Sequence, residues 1–269
     1  MSSNVTVGQV EVTRYIQSTV KFNSGNTTIW VDPFGLNDDL IGGDKADIIL
    51  LTHEHGDHFN LDAINAVSKE GTILVCNNSG IEQKIKGNVS SELVVMKEGD
   101  KNTVSGITLE GVAGYNDFHP RNNGHDSFNI GFIFEFGGAR ILNSGDTDLI
   151  EEFSAMSPLD LALLPIGNAG YTMDETDAAK AVNEMLKPGT VIPVHYGFAT
   201  GGDPEKFKSL IEDVDFVDEE SFKEKLSTLK ESYFPKVSTS TDSTGTTFDD
   251  EDGGTAQDID TTDAMRSYM

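Results

Sequence analysis

Runs of alternating or continuous apolar residues, bounded by Gly, Asn, Asp or Pro, predict ten strands. They cover residues 5–12, 27–31, 47–51, 72–76, 93–96, 107–112, 129–136, 140–143, 159–164 and 190–194. Three stretches carry helical spacing instead. Asn60 can cap a helix reaching Lys69, with Leu61, Ile64 and Val67 on one face. Asp174 or Glu175 opens a second that runs to Leu186 and stops before Pro188-Gly189. Asp203-Pro204 starts a third, in which Phe207, Leu210 and Ile211 form the apolar stripe. Many strands with few helices, the helices following strands in both halves, predict an α/β (α+β) chain. Two sheets would pack face to face with helices outside. A strand, a polar loop and a helix occur at 47–67 and again at 159–182, a loose echo rather than a repeat.

The C-terminal stretch breaks this pattern. Of the 33 residues in 237–269, 12 are Ser or Thr, 8 are acidic and Arg266 is the only base. Such a segment cannot bury enough apolar area to offset its ordering entropy. The expected organisation is therefore a folded body over 1–236 and a disordered acidic tail over 237–269.

Charge then narrows the function classes. The 269 residues include 45 acidic and 19 basic side chains, a net −26, and removing the tail's −7 still leaves −19 on the body. A body that acidic, without a Lys/Arg cluster, does not suit nucleic acid. The excess of acid fits either salt adaptation or a cationic partner. Salt adaptation, of the halophilic kind, is favoured, because at molar ionic strength the Debye length falls to about 3 Å and self-repulsion is screened. The apolar runs at 48–51 and 161–164 are short, whereas a membrane-spanning helix needs roughly 20 residues. The start, MSSNVTVGQVEV, lacks the charged and apolar regions of a secretory signal. A cytoplasmic protein is expected, with a small-molecule substrate as partner, no nucleic acid and no membrane. A homo-oligomer stays open. The single Cys76 can neither close an internal disulfide nor belong to a CxxC pair.

The strongest chemical signal is His53-Glu54-His55-Gly56-Asp57-His58, between the apolar run ADIILLT and the helix capped by Asn60. Imidazole and carboxylate suit zinc and its neighbours, and a turn at the end of a rigid strand can aim several of them into one cavity. His53 and His55 are two apart and share a face in extended backbone, so both could grip one metal. Gly56, through positive φ, would let the loop present Asp57 and His58 to a second. The loop context and Gly56 set this apart from a helical HExxH site.

Further ligands must come from other predicted strand ends. Asp146, in NSGDT after the strand ARIL, could bridge two cations with its two oxygens, although Asp after Gly is also an ordinary turn residue. His195 follows the strand TVI in PVHYG. His119 and His125, in YNDFHPRNNGHDS, are the remaining histidines, and one of them is needed to complete three ligands on the first metal.

These segments in this order, HEHGDH, SGDT, LPIG, YTMDETDAA and PVHYG, resemble the metallo-β-lactamase superfamily, and most closely its lactonase-like branch of metal-dependent hydrolases. The resemblance runs from about Val10, through Val31-Asp32-Pro33, to Gly197. It implies a four-layer αββα sandwich of two mixed sheets with helices outside and the metals at one edge. It further implies that His53 and His55 hold the first metal with a third His, that Asp57 and His58 hold the second with His195, and that Asp146 bridges. One departure stands out. The strand-end position that often carries the third His reads Ala113-Gly114-Tyr115-Asn116 here. His119 is favoured over His125, since Pro120 restricts it to extended geometry.

The expected cofactors are two divalent ions, zinc foremost, with manganese and iron left open by ligand type. Two metals roughly 3.5 to 4 Å apart can share a water and lower its pKa from about 15.7 to about 7. The hydroxide so formed is the expected nucleophile, with Asp57 as the catalytic residue that orients it and accepts its proton. The cations would polarise the attacked oxygen. Ser144-Gly145 lacks the nucleophile elbow of a serine hydrolase. The expected activity is hydrolysis of an ester, lactone or phosphoester of a small metabolite. Arg121 could clamp an anionic group, and Tyr171 and Tyr196 could donate to a leaving group, although an exposed loop Arg and packed aromatics explain the three as well. Alternative readings are a nuclease or phosphodiesterase of the same fold, an iron redox site, and a non-catalytic metal-binding module. His55 stands where the flavodiiron pattern H-x-E-x-D-H has Glu, and the apparent full ligand set speaks against the last.

Overall fold

Gly8, with φ 61°, turns what reads as one strand over 5–12 into a hairpin of β1 (Val5–Val7) and β2 (Val10–Arg14), paired Val5 to Val12 and Val7 to Val10. The single-strand expectation is corrected there: a two-residue turn needs positive φ, and Gly8 supplies it. The structure is a computed structural model, which describes residues 5–217 apart from 78–79, 123–125, 169 and 199. The expected tail over 237–269, the boundary at 236 and His125 lie outside the described residues.

The first sheet continues through β3 (Val20–Ser24), β4 (Thr27–Val31), β5 (Ile48–Leu51), β6 (Ile73–Cys76) and β7 (Glu92–Val95), in that order. It is antiparallel up to β4 and parallel from β4 to β7. The chain then forms β8 (Lys101–Val104) and β9 (Ile107–Ala113), a small separate pair β10 (Arg121–Asn122) and β11 (Asp126–Ser127), and β12 (Ile130–Phe136). After these come β13 (Ala139–Asn143), β14 (Leu161–Pro165), β15 (Thr190–Val194) and β16 (Asp215–Phe216). The second sheet runs β16-β15-β14-β13-β12-β9-β8, parallel between β13 and β16 and antiparallel elsewhere.

Strand periodicity explains the layers. On β5, Ile48 and Leu50 enter the core between the sheets, while Ile49 and Leu51 face the opposite side. On β14, Leu161 and Leu163 point inward and Ala162 and Leu164 outward. Strands buried on both faces read as continuous apolar runs, as these two do. Between the sheets Phe22 meets Phe134 edge-on at 5.2 Å. The outer face of the first sheet is covered by α1 (Asp38–Ile41), α2 (Leu61–Val67) and α3 (Gly80–Ile85), through Ile41, Ile64, Val67, Ile81 and Ile85. The outer face of the second is covered by α4 (Glu175–Lys180), its wider-wound continuation Ala181–Leu186, a short turn at Glu151–Ala155 and α5 (Pro204–Leu210). The result is the expected αββα sandwich of two mixed sheets. The anticipated caps are in place: Asn60 accepts from the Ala63 N–H at 2.8 Å, and Asp174 from those of Thr176 and Asp177, both at 2.8 Å. Among the described residues no helix is long and apolar enough to cross a membrane.

Candidate metal centre

Strand β5 ends at Leu51, and the chain emerging from it is held by the residue that follows the neighbouring strand β4. Asp32, buried and directly after Val31, accepts from the Thr52 N–H at 2.8 Å and the Thr52 hydroxyl at 2.7 Å, and lies 2.8 Å from His58 Nδ1. The 53–58 loop closes through the His55 carbonyl, which accepts from the N–H groups of His58 (3.0 Å) and Phe59 (2.8 Å). Gly56 was expected to make this turn at positive φ; it is absent from the left-handed glycines, and the helix-like bonds onto His55 do the turning.

Two imidazoles of this loop, His53 and His58, are oriented from behind. His53 Nδ1 lies 3.0 Å from Thr52 Oγ1, and His58 Nδ1 faces Asp32, so the Nε2 atoms point the other way. Both Nε2 atoms are buried without a hydrogen-bond partner. A carboxylate behind an imidazole fixes its tautomer and raises its basicity as a ligand.

The arrival of His119 at the cluster, six residues beyond the end of β9 at Ala113, has a local cause. The Asn116 side chain accepts from the N–H groups of Phe118 (3.0 Å) and His119 (2.6 Å) and lies 3.0 Å from His119 Nδ1. The loop therefore folds back, and His119 Nε2 arrives 3.1 Å from His55 Nδ1. From β13, Gly145 (φ 61°) turns the chain into Asp146, whose N–H donates to Asn129 Oδ1 at 3.1 Å. From β15 comes His195, itself left-handed at φ 51°, with its N–H on the Gln17 carbonyl at 3.0 Å.

The ligand-type atoms of His53, His55 and His119 lie within 4.8 Å of one another, as do those of Asp57, His58 and His195 and those of His53, His58 and Asp146. Asp146 thus groups with one histidine of each trio. Its Oδ2 lies 2.9 Å from His195 Nε2, 3.3 Å from His58 Nε2, 3.8 Å from His119 Nε2 and 3.9 Å from His53 Nε2. Its Oδ1 is buried without a partner. All seven residues expected as ligands are brought together. Converging imidazole nitrogens and carboxylate oxygens, several buried and unpaired, would be costly by themselves and suit divalent cations.

The electrostatics of the bare cluster point the same way. Burial pushes His53 well below its ordinary pKa and His119 down to about 4. Burial also opposes charge on His58 and His195, but Asp146 and Asp57, joined at His58 by Asp32, outweigh it. They hold His58 well above the usual value and His195 at about 9. Asp146, despite burial, is held well below the carboxylate range by His195 and His58. Positive charge is thus concentrated beside Asp57 and Asp146.

The expected substrate contacts fare differently. Arg121 is corrected: its guanidinium is engaged by Glu98, with Nε 3.0 Å from Oε2, and by Glu152 at 2.5 Å, so it is not free to clamp an anion. Tyr196 is also corrected. It is buried in the layer outside the second sheet, where its hydroxyl accepts from Arg14. Tyr171 is half-buried and meets Phe118 edge-on at 4.6 Å. Phe118, 44% exposed, lies 5.2 Å from the rings of both His55 and His119, and the Phe128 ring is 4.8 Å from that of His55. Sequence reasoning missed this aromatic wall, along with Gln17, Thr52, Asn116 and Asn129.

A family model described as Beta-lactamase superfamily domain matches residues 11–195. A second, for the T4-phage like capsid assembly scaffolding protein family, matches 173–269, less than half of the chain and largely outside the described residues. A UPF0173 metal-dependent hydrolase of Thermus thermophilus is 36% identical over 193 residues, covering 70% of this chain and 84% of that protein. Another, from Thermococcus onnurineus, is 33% identical over 201 residues, covering 70% of this chain and 87% of its own. A solved structure from Parabacteroides distasonis has a TM-score of 0.64 and 32% identity, over 77% of this chain and 91% of that one. With the family model spanning the four loops that converge on the cluster, and relatives more than 30% identical over 70% of its length, the chain belongs to the metallo-β-lactamase superfamily and, within it, to the UPF0173 metal-dependent hydrolases.

Proposed function

We propose that this chain hydrolyses an uncharged carboxylic ester or lactone of a small metabolite with the help of two divalent cations, zinc foremost. His53, His55 and His119 would hold one cation, Asp57, His58 and His195 the other, and Asp146 would lie between them. The observation that carries the reading is the position of Asp146 Oδ2, within 3.9 Å of an Nε2 atom from His53, His58, His119 and His195 alike. When bound, paired cations lower the pKa of water from about 15.7 to about 7 and polarise the bond under attack.

The chain's own groups supply the rest. Asp57, fully buried with Oδ2 3.3 Å from His195 Nε2, orients the attacking water and accepts its proton. Phe118, Phe128 and Tyr171 give an apolar group a wall beside the first trio. Lys84 pairs with Glu54 at 3.0 Å and Arg121 with Glu98 and Glu152, so neither is free to meet a phosphate. That favours a neutral ester or lactone over a phosphoester.

Elemental analysis combined with a panel of aryl esters, lactones and phosphodiesters tests this. The expected result is about two equivalents of metal per chain and turnover of the esters or lactones, removed by chelation and by His58→Ala in a folded, monodisperse protein. Unchanged turnover in His58→Ala rejects the site, and a clear preference for phosphodiesters rejects the substrate class.

A further inference from the structure

We propose that Gln17 is the positioning residue of the second cation position: it fixes Asp57 relative to His195 and thereby sets how tightly that position holds its metal. This rests on the two-cation reading above. Gln17 lies between β2 and β3, in a turn closed by the Tyr15 N–H on the Thr19 carbonyl at 2.8 Å. It is fully buried, and its backbone is left-handed at φ 51°. Gln rarely adopts that conformation, which persists where the surroundings over-determine it, often at functional sites.

Those surroundings are the two ligands. The Gln17 carbonyl accepts from the His195 N–H at 3.0 Å, and its side-chain Nε2 donates to Asp57 Oδ2 at 2.9 Å, lying also 3.4 Å from His195 Nε2. One residue of the first sheet therefore touches a ligand from each sheet.

His195 needs such a hold. His53, His58 and His119 have their Nδ1 atoms faced by Thr52, Asp32 and Asn116, whereas His195 Nδ1 is buried without a partner. Its placement comes instead from its main chain, through Gln17 and through the Thr200 hydroxyl, which donates to its carbonyl at 2.9 Å. A neutral amide also suits Asp57 electrostatically. It orients the carboxylate without cancelling the negative charge that attracts a cation, as a lysine would. The Gln17 Oε1 atom is buried and unpartnered, so the hydrogen-bonding reach of the side chain is directed through Nε2 at Asp57 and His195.

The test uses the full chain with Zn²⁺ as the probe, titrated against a competing chelator, and reads the affinity of each equivalent. Gln17→Asn keeps an amide and tolerates left-handed backbone better than Gln, but is one methylene too short to reach Asp57. Gln17→Met keeps the length without the donor. Both are expected to weaken the second equivalent by roughly 10- to 100-fold, the usual loss when an outer partner of a ligand is removed, while leaving the first unchanged. A purely structural role would leave Gln17→Asn neutral, or would lower both equivalents together in Gln17→Met, and either result overturns the proposal. So does wild-type affinity for both equivalents in the two variants. A wild-type chain that takes up only one equivalent fails earlier, at the two-cation reading, and is thus told apart from a failure of Gln17.

Discussion

Asp32 and His58 are both fully buried, and Oδ2 of the one lies 2.8 Å from Nδ1 of the other. Burial pushes the Asp32 carboxyl up, and the charge and hydrogen bond of His58 pull it back. The same carboxylate holds Thr52 through two further bonds, so it couples the end of β4 to the start of the histidine loop. Asp32→Asn keeps the shape and loses the charge behind the imidazole. It is expected to lower metal affinity and kcat/KM by roughly 10- to 100-fold. Asp32→Ala should in addition cost about 1 to 3 kcal/mol of stability, because it leaves the Thr52 N–H buried without its acceptor. Chelator competition and thermal melts of the two variants check this; wild-type metal affinity in Asp32→Asn would show that the pairing is incidental.

Gly145 bears on Asp146 in a comparable way. A Cβ at Gly145 would lie 2.3 Å from Asn129 Oδ1, and φ is 61°. Asn129 cannot yield freely, since it accepts from the Asp146 N–H and donates to the Gly114 carbonyl at 3.0 Å. Gly145→Ala is expected to cost about 1 to 3 kcal/mol and most of the hydrolysis, as overpacking a built site does. Gly138 provides the contrast, with φ 78° and nothing within 4 Å of an added Cβ. Gly138→Ala should carry only the backbone penalty, about 1 to 2 kcal/mol, with turnover unchanged. Melting temperature and turnover of both variants decide it, and equal loss of activity in the two would refute the link to Asp146.

The contrast between visible and hidden residues has a physical origin. HEHGDH is legible because four of the expected ligand residues fall in one loop after a strand apolar on both faces, and Asp146 and His195 stand at predicted strand ends. The groups that orient them are single polar residues whose partners are far away in the chain, such as Gln17 with Asp57 and Asn129 with Asp146. No period marks such residues. For the same reason β3, five residues whose pattern is modest alone, emerges only through pairing with β2 and β4. Arg121 misled because sequence proximity to His119 says nothing of Glu98 and Glu152, which take its guanidinium from distant loops.

Phe118 is exposed beside the first trio, so its truncation should cost little more than its edge-on contact with Tyr171, about 0.5 to 1.5 kcal/mol of stability. Loss of an aromatic contact of about 1 to 1.5 kcal/mol corresponds to roughly a tenfold rise in KM for esters with an aryl or branched group. The kcat should change little, because on the proposed function the ring would contact the acyl group of the ester and not the breaking bond. Steady-state kinetics of Phe118→Ala on acetate and aryl-acyl esters of one alcohol test this. Equal effects on both series would remove Phe118 from substrate recognition.

Glu175 ties the start of α4 to the start of α5: Oε1 accepts from the Asp203 N–H at 2.7 Å and Oε2 lies 2.9 Å from Lys206 Nζ. Burial works to raise its pKa, but Lys206 and the backbone N–H groups outweigh it and hold the carboxyl below its usual 4.5. A carboxylate with a depressed folded-state pKa stabilises the fold above the unfolded value, and that contribution is lost as the pH falls through the folded value. Glu175→Gln keeps the acceptor for Asp203 and removes the charge. Its melting temperature should therefore lie below wild type by a constant margin at neutral pH, with the gap starting to close near 4.5 and vanishing at lower pH. Measured on metal-free protein at fixed salt, this isolates the α4 to α5 tie from any loss of ligand at the cluster, and a gap that persists unchanged to pH 3 would place the stabilisation elsewhere than in the Glu175 charge.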